Sequence, residues 1–221
     1  MAVRLSTFTG MPDEKTLNNV DVIVLCNPNN PTAQQFQPAD LLKWHAQLAK
    51  RGGWLVVDEA FMDATPEFSL AKHAHLEGLF VLRSLGKFFG LAGARVGFLL
   101  AAEHHLSMLE EHLGPWPLTG AARIIATQAL RDNAWQQQTR AQLLSTSTRL
   151  VELLGQYGLQ PQAGTHLFQW VTTANAEAWH THLAQQGIWV RKFAEISALR
   201  FGLPPEDGWV RLETALKTFS G

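Results

Sequence analysis

A chain of 221 residues with 18 Lys and Arg against 19 Asp and Glu, a formal charge of -1, has no basic footprint for a polyanion, which excludes nucleic acid as a partner class. The length suffices for a substantial core, and any anion must be met by a few local arginines or backbone N–H groups, which points to small ligands. The single cysteine, Cys26, excludes an intrachain disulfide; MAVRLSTFTGMPDEK lacks the basic-then-apolar pattern of a leader and no uncharged run reaches membrane-spanning length, so a cytoplasmic protein without membrane contact is expected.

Residues 21–26 (DVIVLC) form a continuous apolar run ending at Asn27-Pro28, the pattern of a strand buried on both faces of a parallel sheet. Pro38 opens a helix through LLKWHAQLAK, which Gly52-Gly53 stop. Two more apolar runs follow, residues 54–57 (WLVV) ending at Asp58-Glu59 and residues 79–82 (LFVL) ending at Arg83-Ser84. This is α/β alternation, and ligands of such sheets bind beyond the carboxyl ends of the strands, where Asn27 to Asn30, Asp58 and Ser84 to Lys87 all fall. A fourth run, ARVGFLLA (94–101), follows Lys87 too closely for a crossover helix and is expected to run antiparallel. From Ala121 to Leu154 the pattern is helical, with a break near Asp132-Asn133 and a stop at Gly155 to Gly158. Beyond it HLFQWV (166–171), IWVRKF (188–193) and ALRFGL (198–203) read as strands and 175–186 and 206–218 as helices, a small α+β unit. The tryptophans, eight in all, have no fixed period and read mostly as core and interface filler.

The segment SLGKFFGLAGARVGF frames a Gly-rich turn with Ser84, Lys87 and Arg95, two anion binders around one amine. A lone loop lysine is usually a solvated charge, but Phe88, Phe89 and Leu91 make these surroundings apolar and favour a neutral amine able to attack an aldehyde. Asp58 can pair with a protonated pyridine nitrogen and Asn30 can donate to a phenolate oxygen. Each motif alone also reads blandly, Asn-Pro-Asn-Asn-Pro as a rigid turn and Asp58 as a cap.

In this order NPNNPT (27–32), DEAF (58–61) and SLGKFFGLAGARVGF (84–98) resemble the signature blocks of the class I/II aminotransferases. The resemblance implies an α/β fold, the mostly parallel sheet of the large domain of pyridoxal-phosphate-dependent transferases with its amino-terminal part missing, plus a small α+β C-terminal domain. It divides the chain into a partial cofactor-binding domain at 1–120, a connecting long helix at 121–154 and the small domain at 155–221. It further implies that Lys87 is catalytic and carries pyridoxal 5'-phosphate covalently. Asn30 then meets the cofactor phenolate, Asp58 the pyridinium, and Ser84 and Arg95 the phosphate. Arg200, in LRFGL, falls where the family places its arginine for the substrate carboxylate, and a homodimer is implied. Within the family, GGWLVVDEAFMDATPE, VLRSLGKFFGLAGARVGF and LRFGLP most resemble the threonine-phosphate decarboxylase branch of cobalamin biosynthesis, with the histidinol-phosphate aminotransferase branch as the close relative. A small phosphorylated amino acid is then the substrate.

Ala33 stands where the family commonly has glycine and Phe61 where it has tyrosine, so one hydroxyl for the phenolate is lost. Only 26 residues precede Asn27, so the family's glycine/serine-rich phosphate turn and its ring-stacking aromatic are expected to be missing, and the chain reads as truncated. Arg191, on a strand near Arg200, reads either as a ligand for a substrate phosphate or as an exposed strand arginine. His73/His75, His104/His105 and His180/His182 lack the helix spacing and acidic partner of a zinc protease motif, so no metal is expected. Cys26 reads as a structural thiol in an apolar strand. Two rival readings remain open, a non-catalytic remnant of the fold and a regulator that borrows it, the latter without a helix-turn-helix or basic region to support it.

Overall fold

The computed structural model describes residues 5–8 and 10–220. It opens with helix α1 (Glu14–Asn19), which the sequence pattern does not announce; the Asp13 carboxylate caps it by accepting the Thr16 N–H at 2.7 Å. Strand β1 (Val22–Cys26), helix α2 (Pro38–Ala49) and strands β2 (Trp54–Asp58), β3 (Leu79–Ser84) and β4 (Gly97–Leu100) follow. They form a sheet in the order β1-β2-β3-β4, with β1, β2 and β3 parallel and β4 antiparallel to β3, as the short link after Lys87 requires.

Helix α2 lays Leu41, Trp44 and Leu48 against Ile23, Leu55 and Val81 of the sheet. Each such side chain, fully buried, contributes about 1.5–3 kcal/mol. The chain turns from α2 into β2 at Gly52, with φ +70°, and Gly53, where a Cβ would lie 2.6 Å from the Asp21 carbonyl oxygen. The two-sided burial expected for β1 is not what forms. Ile23 points into the core while Val22 and Val24 are exposed, because among the described residues nothing covers that face of the sheet.

Helices α3 (Glu103–Leu113), α4 (Gly120–Arg131) and α5 (Asn133–Gln156) come next. The helical stretch read from Ala121 to Leu154 is therefore two helices: Asp132 leaves helical backbone angles and its carboxylate accepts the Trp135 N–H at 3.0 Å, starting α5 afresh. Strands β5 (Ala163–Thr165) and β6 (Phe168–Thr172), helix α6 (Ala176–Gln185), strands β7 (Arg191–Phe193) and β8 (Ala198–Gly202) and helix α7 (Trp209–Lys217) complete the chain. The second sheet is antiparallel in the order β5-β6-β8-β7. Strand β5 escapes a sequence reading because Ala-Gly-Thr carries no apolar alternation.

A second core gathers Leu150, Leu154, Val171, Leu183, Phe201 and Leu212 between α5, α6, α7 and the second sheet. Trp44, Trp170, Trp179 and Trp209 are core residues as expected, whereas Trp116 and Trp189 stand out in solvent, 88% and 80% exposed, and are not core filler. No helix among the described residues is long and apolar enough to cross a membrane.

Candidate active site

The carboxyl end of β1 opens into the Asn-Pro-Asn-Asn-Pro turn, and fully buried Asn27 holds it: its Nδ2 donates to the Phe36 carbonyl at 3.1 Å while its Oδ1 accepts the Phe36 N–H at 2.8 Å. Asn29 tightens the turn by accepting the Thr32 hydroxyl at 2.9 Å. Ala33 takes the left-handed conformation, φ +58°, which a glycine adopts without steric cost.

Asp58 ends β2 beside Cys26, with which it is in register; one of its oxygens accepts the Ala60 N–H at 2.9 Å, so it does serve the local turn. Cys26 is half-buried, its Sγ 3.9 Å from Asp58 Oδ2. Burial, reinforced by the Asp58 charge, pushes the thiol above its ordinary range, which suits an inert side chain. The next residue, Glu59, was not singled out by sequence, yet it is fully buried and accepts Ser69 Oγ at 2.5 Å, the Leu70 N–H at 2.7 Å and Arg83 Nη1 at 3.1 Å. Arg83 also pairs with Asp63, whose carbonyl accepts Arg140 Nε of α5 at 2.9 Å. Burial holds the Glu59 and Asp63 carboxyls above the ordinary carboxylate range despite Arg83. The network joins β2, β3 and α5 directly beneath the strand ends, and its signal in sequence was only the Asp-Glu pair.

Ser84, Lys87 and Arg95 line one cavity of about 270 Å³ at the end of β3, together with Gly86, Ala92 and Gly97. Ser84 Oγ accepts the Gly86 N–H at 3.1 Å, and Arg95, also left-handed at φ +55°, donates to the Ala92 carbonyl at 3.4 Å. A larger cavity of about 630 Å³ between Phe89, Gln128 and Trp135 contains none of the expected cofactor- or substrate-binding residues.

Of the apolar neighbours expected around Lys87, Leu91 lines its cavity and Phe88 and Phe89 do not. Phe88 and Phe89 turn inward against Trp135, at ring distances of 5.5 and 5.8 Å, while Lys87 faces outward and is exposed. The loop alternates: Leu85, Phe88 and Phe89 fill the core, which leaves residue 87 on the open side. The aromatic ring that Lys87 does meet is Phe61, 5.5 Å from Nζ.

Arg200 on β8 reaches across from the second sheet and hydrogen-bonds Asn30 Oδ1. With Oδ1 so engaged, the Asn30 amide presents its NH₂ as donor. The Arg200 guanidinium lies 5.2 Å from the ring of Phe168, and Phe168 meets Phe61 edge to face at 5.3 Å. A continuous file, Lys87, Phe61, Phe168, Arg200, Asn30, thus spans both sheets. Arg191 is the register partner of Arg200 on β7 and is exposed. Burial first, then the charge of Arg191, lowers the Arg200 pKa from its ordinary value. Phe168 and Phe61 as mutual partners were invisible in sequence, since residues so far apart carry no local pattern.

The family model for aminotransferase class I and II matches residues 9–218. The chain belongs to that family. It is 51% identical over 207 residues, 93% of its length, to a threonine-phosphate decarboxylase of Pseudomonas aeruginosa, and covers 62% of that protein. It is 32% identical over 183 residues to a histidinol-phosphate aminotransferase of Thermoanaerobacter, covering 82% of this chain and 51% of that one. The chain therefore spans about six tenths or less of the length of these curated relatives. The crystal structure of histidinol-phosphate aminotransferase from Sinorhizobium meliloti in complex with pyridoxal-5'-phosphate superimposes with a TM-score of 0.79 at 22% identity, over 90% of this chain and 56% of that one. The fold is accordingly that of this family, a mostly parallel four-stranded α/β sheet followed by a four-stranded antiparallel one.

Proposed function

We propose that the chain takes part in pyridoxal-phosphate-dependent decarboxylation of L-threonine O-3-phosphate to (R)-1-amino-2-propanol phosphate in cobalamin biosynthesis. The observation that carries this reading is the 51% identity to the Pseudomonas aeruginosa decarboxylase along nearly the whole chain, against 32% for the aminotransferase. In this reading residues 1–120 are the cofactor-binding part, 121–154 the connection and 155–221 the small domain, and the working form is a homodimer.

The residues fit the cofactor. Ser84 and Arg95 offer a hydroxyl and a guanidinium to a phosphate in the cavity that Lys87 shares, and its 270 Å³ lies just below the roughly 300–1,000 Å³ of complete small-molecule sites, as suits one end of a ligand. When bound, pyridoxal phosphate supplies an electron sink for the substrate's alpha carbon. Lys87 provides the amine that holds it covalently and a base to move protons at that carbon. Asp58 keeps a proton on the ring nitrogen by charge pairing. Asn30 donates its NH₂ to the phenolate, its orientation fixed by Arg200.

Arg200 also takes the substrate carboxylate, and Arg191, its neighbour on the sheet, takes the substrate phosphate. Which bond breaks at the alpha carbon depends on how Arg200 orients that carboxylate, and a misplacement of about 1 Å costs on the order of a hundredfold in rate. The test is an assay of both candidate substrates. Carbon dioxide release from L-threonine O-3-phosphate with little amino transfer from histidinol phosphate supports the reading. Efficient amino transfer without carbon dioxide moves the protein to the aminotransferase branch, and cofactor binding without either reaction points to a non-catalytic remnant.

A further inference from the structure

We propose that Glu77, His104 and His105 form a binding site for a divalent transition-metal ion of the zinc class, at the end of the first sheet opposite Asp58 and Lys87. In sequence the His104/His105 pair lacks both the helix spacing of a zinc protease motif and an acidic partner. The fold supplies one: Glu77 Oε1 lies 3.3 Å from His104 Nε2 and 2.9 Å from His105 Nε2, and the ligand atoms all lie within 4.8 Å of one another. An ion bound at about 2.0–2.2 Å by nitrogen and oxygen in a tetrahedral shell has ligand atoms about 3.3 Å apart. The two spacings to Glu77 need only a few tenths of an ångström of adjustment, and the imidazole nitrogens, within 4.8 Å of each other, close on the ion by side-chain rotation.

The three side chains come from two segments, the start of α3 and the turn before β3. His105 is wedged against Phe80 at 4.7 Å and Trp54 at 5.8 Å between ring centroids, its side chain only 14% exposed. Those two aromatics stand at the starts of β3 and β2, so the site lies a strand's length, on the order of 15 Å, from the residues at the strand ends. Glu77 is pinned through its backbone: its carbonyl is 2.8 Å from Nε2 of buried His45, and Gly78 after it, at φ +76°, turns the chain into β3. His104 packs against His105 with centroids 3.9 Å apart and ring planes tilted by 40°, both in the first turn of α3. His104 and Glu77 are exposed, so an ion reaches them from solvent.

The donor set selects the class of ion. Two imidazole nitrogens and one carboxylate suit Zn²⁺, Ni²⁺ or Cu²⁺ and not the all-oxygen shells of Ca²⁺ and Mg²⁺. Three protein ligands leave a fourth position for water, and the ion ties α3 to the β2–β3 edge, so it stabilises the folded chain.

The chelator-treated chain is titrated with Zn²⁺ by calorimetry and with Cu²⁺ by quenching of Trp54 fluorescence, Trp54→Phe isolating that signal. One equivalent is expected to bind at micromolar affinity and raise the melting temperature. His104→Ala and Glu77→Gln, both at exposed positions whose replacement leaves the core intact, are each expected to weaken binding at least tenfold. Replacing His180 and His182 together leaves it unchanged. Absence of stoichiometric binding by the wild-type chain, or binding untouched in His104→Ala and Glu77→Gln, overturns the site and leaves only ion pairs to Glu77. Neither outcome bears on the decarboxylase reading, which rests on other residues.

Discussion

Ala33 shows how much a single backbone angle decides. At φ +58° its Cβ crowds the following carbonyl, a conformation that costs an L-residue about 1–2 kcal/mol. Against this stands one buried methyl, worth about 0.8 kcal/mol. Ala33→Gly is therefore expected to stabilise the chain slightly, by about 0.5 kcal/mol in urea unfolding, where the same exchange in a helix loses about 1 kcal/mol. A loss of that size at position 33 contradicts the account. Glu59 and Asp63 make a second residue-scale prediction. Burial raises both carboxyls above their ordinary values of 4.5 and 3.8, so just above those values the folded chain binds more protons than the unfolded one. Their contribution is fully present below that range and is lost as pH rises through the raised folded values. The unfolding free energy of the wild type should thus slope downward as pH rises above the ordinary carboxyl values of 4.5 and 3.8, relative to Glu59→Gln/Asp63→Asn, a less stable variant in which the slope is flattened. Parallel slopes for the two would show that Arg83 has already cancelled the burial effect.

At the scale of elements, the strand ends were legible because an apolar run that stops at Asn27, Asp58 or Ser84 announces both the strand and the polar residue it delivers. The antiparallel β4 followed from a connection too short for a helix. Strand β5 had no apolar alternation to announce it, and the exposed face of β1 could not be read, since Val22 and Val24 look as buried as Ile23 in sequence. The file from Lys87 to Arg200 was out of reach for a different reason: Phe61 and Phe168 meet only once both sheets have formed. Phe168 is buried and fills the joint, so Phe168→Ala is expected to cost about 3–5 kcal/mol in unfolding experiments. It should also loosen Arg200, which loses its aromatic neighbour. A cost below about 1 kcal/mol would mean that the joint between the two sheets carries little of the stability.

For the whole molecule, the class of fold was recoverable from the order of three motifs, whereas the surfaces that remain uncovered were not. Val22, Val24, Trp54 and Leu82 expose apolar surface on the first sheet, and Ile124 and Leu144 do so on α4 and α5. Contiguous apolar patches beyond a few hundred Å² are rare on monomers. The 221-residue chain is accordingly expected to self-associate at micromolar concentration in sedimentation velocity, and Val22→Ser/Val24→Ser to shift it toward the monomer. A strictly monomeric wild type would show that these faces tolerate water.

The proposed function makes Lys87 the covalent anchor of a cofactor whose phosphate Ser84 and Arg95 would hold, and the three residues line one cavity. Incubation with pyridoxal phosphate, reduction with borohydride and mapping of the labelled peptide by mass spectrometry tests it directly. Label concentrated on Lys87, with no comparable labelled site in Lys87→Ala, is the expected result; label scattered over other lysines, with Lys87 no more modified than the rest, would contradict the anchor role of Lys87.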